Sequence, residues 1–144
     1  MPSTSSTNTI AVTNSFFSNL SAISHGGAFS LKGSSSVTMS FLNVTLSDSF
    51  SGENGGFIYS TGSNPILSIS GASSLSQSRA EISGGLAFLS GIGISVISLA
   101  ESITNNCYAL TGSGGLLYLG NTVYFVYNNE SFYSETSYGS NTRN

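Results

Sequence analysis

Few side chains in this sequence could do acid, base, nucleophilic or metal chemistry. They are the carboxylates Asp48, Glu53, Glu81, Glu101, Glu130 and Glu135, the cations Lys32, Arg79 and Arg143, and a single His25 and Cys107. Glycoside hydrolysis needs two carboxyls at a set separation, and a calcium-dependent lyase needs clustered carboxylates beside a basic residue. Glu53 and Glu81 are spaced to approach each other at neighbouring corners of a repeat, yet no lysine or arginine falls in register with them. A lone histidine with no second histidine or cysteine partner makes neither a zinc site nor a triad, so His25 reads as a polar corner residue. A single cysteine forms no intrachain disulfide. Cys107, in a column with Ser49 and Ser78, reads as a small buried or half-buried thiol. The chain is therefore expected to have no catalytic residue, no metal ligand and no cofactor.

The framework that must position these residues is a repeat. The glycine pairs Gly26-Gly27, Gly55-Gly56, Gly84-Gly85 and Gly114-Gly115 recur at intervals of 29, 29 and 30 residues. Small residues recur too: Ala22, Ser51 and Ala80 stand four places before each of the first three pairs, and Ala109 five before the last. Residues 10–25 fit the second half of an earlier unit, with Ile10 and Val12 matching Met39 and Phe41, so the chain holds four to five coils. Self-similarity at a fixed period means one supersecondary unit stacked on itself.

Composition narrows the unit. A length of 144 residues gives one domain by default, spanning 1–144, and a hydrophobic share of 39% can fill its core. Charged residues make up only 6%, against roughly 25% in ordinary soluble domains. Disorder needs low hydrophobicity or high net charge, and a mean hydropathy of +0.18 with net charge −3 supplies neither. The same charge, with three cations, excludes effective phosphate binding and hence nucleic acid as a partner. Apolar segments at 28–31, 37–46, 57–59, 66–69, 86–89, 92–99, 116–119 and 122–127 are strand-length, and none approaches the ~18 residues of a membrane span. A coil of 29 residues accommodates three strands of ~17 Å each, stacked on the next coil at ~4.8 Å. The recurring Leu and Asn frame of a leucine-rich repeat is absent. The expected fold is all-β, a parallel β-helix.

Alternation puts Val37, Met39 and Phe41 inward and Thr38 and Ser40 outward. The strand after each glycine pair is apolar on both sets, and Phe57, Leu86 and Leu116 next to Tyr59, Phe88 and Tyr118 are read as an outward ladder and a possible interaction face. The eight glycines of the pairs read as structural corners. No Gly-x-Gly-x-x-Gly, phosphate-binding lysine or helix pattern follows them.

The run Phe16-Phe-Ser-Asn19, then Ala22, then Gly26-Gly27-Ala28-Phe29 resembles the repeats of the polymorphic outer-membrane protein family, with their Phe-x-x-Asn and Gly-Gly-Ala-[Ile/Leu/Val] motifs. Similar motifs occur in large protist surface proteins with the pectin-lyase-like fold. Later repeats depart from both motifs, as at Thr45-x-x-Asp48, Ser74-x-x-Gln77 and Ile103-x-x-Asn106. The resemblance implies a right-handed parallel β-helix in an extracellular, adhesin-like protein, and it names no ligand.

The sequons at Asn19, Asn43 and Asn129 are possible N-glycosylation sites in a secretory route. Phe50, Arg79, Tyr108 and Tyr138 share a column, which suits cation–π stacking or a sugar platform. Regular threonine ladders, as ice binding would want, are not evident in the 29-residue frame. The first residues carry no leader pattern, and the chain reads as a segment of a longer exported protein. The expected function is a structural or adhesive, non-catalytic β-helix at the cell surface. It would self-associate or stack on neighbouring coils through open ends and an apolar face, with a glycan or surface protein as possible partner. The alternative is a carbohydrate-active β-helix that binds, lyses or hydrolyses polysaccharide.

Overall fold

A computed structural model of the chain describes residues 7–33, 35–120, 122–128, 131–133 and 136–137. It is all-β, and the strands follow one another in sets of four. The first coil carries β1 (Thr7–Thr13), β2 (Phe16–Phe17), β3 (Leu20–Ala22) and β4 (Phe29–Leu31). The second carries β5 (Ser36–Leu42), β6 (Thr45–Leu46), β7 (Ser49–Ser51) and β8 (Ile58–Ser60). The third carries β9 (Ser63–Ser70), β10 (Ser74–Ser76), β11 (Ser78–Ala80) and β12 (Ala87–Leu89). The fourth carries β13 (Ile94–Ala100), β14 (Ile103–Asn105), β15 (Tyr108–Ala109) and β16 (Leu117–Leu119). Three further strands, β17 (Thr122–Asn128), β18 (Ser131–Tyr133) and β19 (Thr136–Ser137), pair onto the fourth coil.

Each strand pairs in parallel with its counterpart one coil away. This generates four sheets, β1-β5-β9-β13-β17, β2-β6-β10-β14-β18, β3-β7-β11-β15-β19 and β4-β8-β12-β16. The molecule is a parallel β-solenoid of about four turns. The expected coil of three strands is corrected to four, because the apolar run 37–46 is broken at Asn43, whose φ of 53° turns the chain. Asn14, Gly71 and Glu101 turn the other coils at the same corner, and Asn19, Gln77 and Asn106 turn a second one. Asparagine enters the left-handed region more readily than most residues, which explains its place at both corners.

The period is not rigid. Met39 pairs with Leu67 and Leu67 with Ile97, intervals of 28 and 30 residues, and an irregularity between Ser36 and Thr38 absorbs the first change. Inward ladders fill the interior. Met39, Leu67 and Ile97 form one and Phe41, Ile69 and Leu99 another, all at most 1% exposed. Between the first two coils Phe17, Phe29, Phe41 and Phe57 meet edge to face, with centroids 5.4–5.9 Å apart. Such pairs add about 0.5–1.5 kcal/mol each beyond the area they bury.

Candidate functional site

Each glycine pair stands at the corner that leads into the fourth strand of its coil, and its two members do different work. Gly26, Gly55, Gly84 and Gly114 have φ of 62–71°, where a side chain is strained. The second glycine lies against the next coil: a Cβ on Gly56 would sit 2.0 Å from the Gly85 carbonyl oxygen. A buried serine seven residues earlier braces this corner. The Ser49 hydroxyl donates to Gly56 O, and the Ser78 hydroxyl donates to Gly85 O at 2.8 Å. In the fourth coil Cys107 occupies that column, fully buried, with its sulfur 3.8 Å from Asn105 O and 3.9 Å from Leu75 O.

The corner also decides which side chains of the following strand face out. Phe57 N and Ile58 N both donate to Leu86 O, at 2.9 and 3.0 Å, and Leu86 N and Ala87 N both donate to Leu116 O. Two successive amides thus share one acceptor. Alternation is suspended for one residue, and both Phe57 and Ile58 enter the core. The reading of Phe57 and Leu86 as outward is corrected on this ground: both are fully buried, and Leu116 packs against the same core.

Tyr59, Phe88 and Tyr118 do form an outward column. Their rings stack almost parallel, 5.3 Å apart at 12° and then 4.5 Å at 5°. In the first coil the same place is held by Ser30, too small to continue the stack. His25 fills the gap from the preceding corner, its imidazole 4.1 Å from the Tyr59 ring at 9°. Its Nε2 lies 3.1 Å from Glu53 Oε2, a carboxylate of the next coil. Nδ1 is buried without a hydrogen-bond partner, so a proton on Nε2, donated to Glu53, suits the geometry. Lys32 Nζ approaches the Tyr59 ring at 5.7 Å. Burial, and then the charge of Glu53, push the Tyr59 hydroxyl above its ordinary pKa.

The fold thus brings His25 and Lys32 of the first coil together with Glu53 and Tyr59 of the second in one polar cluster. Sequence reasoning placed His25 at a corner but missed its partners; Ser30, a vacancy in an aromatic column, was the available signal. Glu53 and Glu81 are not brought into register: Glu81 N bonds Ser51 O, and Ile82 N, not Glu81 N, bonds Glu53 O. Among the described residues no group of three or more His, Cys, Asp or Glu side chains is arranged to hold a metal. No described helix is long and apolar enough to cross a membrane.

Arg79 lies between Phe50 and Tyr108 in the outward column of β7, β11 and β15, its guanidinium 5.3 Å from the Phe50 ring centroid. Asn19 and Asn43 are exposed at the left-handed corners, and Asn43 joins a ladder, donating to Asn14 Oδ1 at 3.1 Å and accepting from Ala72 N at 3.2 Å. Asn129, Glu130, Glu135, Tyr138 and Arg143 lie outside the described residues. Compared with known proteins, the chain matches no family model, no curated protein and no solved structure.

Proposed function

We propose that this chain is a non-catalytic structural or adhesive β-solenoid of the extracellular space or cell surface, whose coils stack on further coils to build a fibre. The observation that carries the reading is the difference between equivalent interior positions. Ile10, Val12 and Phe17 of the first coil are only partly buried among the described residues, whereas Met39, Phe41 and Leu46, one coil on, are at most 1% exposed. The strands β1 to β4 are also the edge strands of their sheets. Strand edges left unpaired among the described residues, over a partly open apolar interior, are a template for another coil in the same register. Head-to-tail contacts of that kind need not close, and they generate filaments. The resemblance of the first repeat to polymorphic outer-membrane protein repeats supports the same setting.

A non-catalytic role is favoured because the described carboxylates stand in separate columns. The carbohydrate reading is weakened by the aromatic stack: Tyr59 is covered on one face by His25 and on the other by Phe88. A sugar docks on an open ring face, and Phe88 is likewise covered on both faces, by Tyr59 and Tyr118.

Negative-stain electron microscopy of the purified chain over a concentration series, without denaturant, tests the proposal. Regular filaments that lengthen with concentration are expected. Uniform small particles that never associate would overturn the fibre reading and return attention to glycan binding.

A further inference from the structure

Among the described residues, every polar side chain that is buried as a whole is a neutral serine or threonine hydroxyl. Six of these eight bond to the backbone, as Ser73 does by donating to Ser70 O at 2.7 Å and accepting from Val44 N at 3.1 Å. Ser102 Oγ and Thr104 Oγ1 have no hydrogen-bond partner, although each residue is only 1% exposed. Register shows what the pair replaces. Thr104 aligns with Leu75, which aligns with Leu46. Ser102 ends a corner of two residues before β14, as Val44 does before β6, whereas the corner before β10 has three, Gly71-Ala72-Ser73. Ser73, with the extra residue behind it, reaches Ser70 O, and Ser102 makes no such bond. Ser102 and Thr104 therefore stand where the second coil has Val44 and Leu46, two fully buried residues of the core.

We propose that the fourth coil encloses an internal hydration site, with at least one ordered water held by Ser102 and Thr104. A buried hydroxyl that has given up water without a replacement partner is costly, and buried polar groups are nearly always bonded to protein or to ordered water. Ile103, between the two, is 47% exposed, so alternation turns its neighbours inward together. Room comes from the replacement itself: serine is smaller than valine, and threonine than leucine, by about one heavy atom each, together enough for the ~30 Å³ that a water takes in the liquid. Each hydroxyl both donates and accepts, so the pair offers the polar partners an internal water needs. The chemistry selects water over an ion, because no charged side chain is among the buried described residues to offset an ion's desolvation. The site goes beyond the assembly reading above and does not depend on it.

Oxygen-17 magnetic relaxation dispersion on the folded chain counts internal waters that stay longer than the molecule takes to tumble. The wild type is expected to hold at least one more such water than the double variant Ser102→Ala with Thr104→Val, which removes both hydroxyls and nearly keeps the side-chain shapes. Equal counts overturn the proposal. If the double variant fails to fold, Ser102→Ala alone takes its place, with the same loss expected and equal counts again decisive against the site. Urea unfolding of Thr104→Val reads the same point by its sign. With water in place, valine removes one of its holders and leaves the water and Ser102 short of a bond, so the midpoint is expected to fall. In a dry interior valine removes an unsatisfied hydroxyl, and a midpoint at or above that of the wild type overturns the proposal.

Discussion

Replacing Gly85 by alanine tests whether the glycine corners hold the coils at their spacing. The new Cβ would lie 2.0 Å from Gly115 O, 2.4 Å from Tyr108 N and 2.6 Å from Tyr108 C, all backbone atoms of the next coil. A carbon and a carbonyl oxygen sit comfortably at about 3.3 Å or more, so the coils must part by roughly 1.3 Å of a ~4.8 Å spacing. The bonds from Gly85 N to Gly114 O, Leu86 N to Leu116 O and Ala87 N to Leu116 O stand in the way, at 3.2, 2.8 and 3.2 Å. Weakening two of them removes about 2 kcal/mol, and residual overpacking adds about 1–3 kcal/mol. The total is about 3–5 kcal/mol.

For a chain of this length 1 kcal/mol moves the melting temperature by about 3–4 °C, so thermal denaturation followed by circular dichroism should show a fall of about 9–20 °C. Gly33→Ala is the control. Gly33 has φ +135° but nothing within 4 Å of its would-be Cβ, so only backbone strain, about 1–3 kcal/mol, applies there. If G85A melts within ~3 °C of the wild type, or no lower than G33A, the corner does not set the spacing and the reasoning fails.

Three further outcomes follow from the same geometry. Tyr59 has its pKa raised above 10.0 in the folded chain, by burial and then by Glu53, so above pH 10 the unfolded state loses this proton first and stability falls as pH rises. Urea titrations across that range should show a shallower alkaline loss for Tyr59→Phe, and equal slopes would remove Tyr59 from the account. Ser78→Ala takes from Gly85 O the hydroxyl that donates to it and should cost about 1–2 kcal/mol, read as a lower urea midpoint of unfolding at unchanged m-value. Cys107 is fully buried and should react with a soluble thiol reagent only as fast as the chain unfolds; fast stoichiometric labelling under native conditions would contradict its placement.

The parts of the fold legible in the sequence are those that repeat in kind. The glycine pairs and the alternation of Val37, Met39 and Phe41 are such parts, because a parallel ladder demands the same residue class at the same place in every coil. The short strands were not legible. β6, β7, β10 and β11 consist of two or three residues each, too few to show a period. Phe57 and Leu86 were misassigned because a shared carbonyl acceptor suspends alternation for one residue, which no pattern of side chains reveals. The cluster at His25 was hidden for a third reason: it depends on an absence, Ser30 in an aromatic column, and on a partner from another coil.

A solenoid makes chemistry by stacking, since residues in one column stand about 4.8 Å apart and those two columns away along a strand about 7 Å apart. The carboxyl separation of a retaining glycosidase, about 5–5.5 Å, would therefore call for two acids in adjacent rungs of one column. Here Asp48 aligns with Asn19 and Gln77, Glu53 lies under Ile82, and Glu81 lies over the rung of Ser51 and Gly52. Each acid is thus spaced from the next by neutral residues, and on the broadest face none occurs at all. An arrangement that disperses charge gives up paired acids, and it also lowers the electrostatic cost of bringing identical copies together. On the assembly reading proposed above, the dispersal of the described carboxylates, which leaves no paired acids among them, also limits repulsion between identical copies.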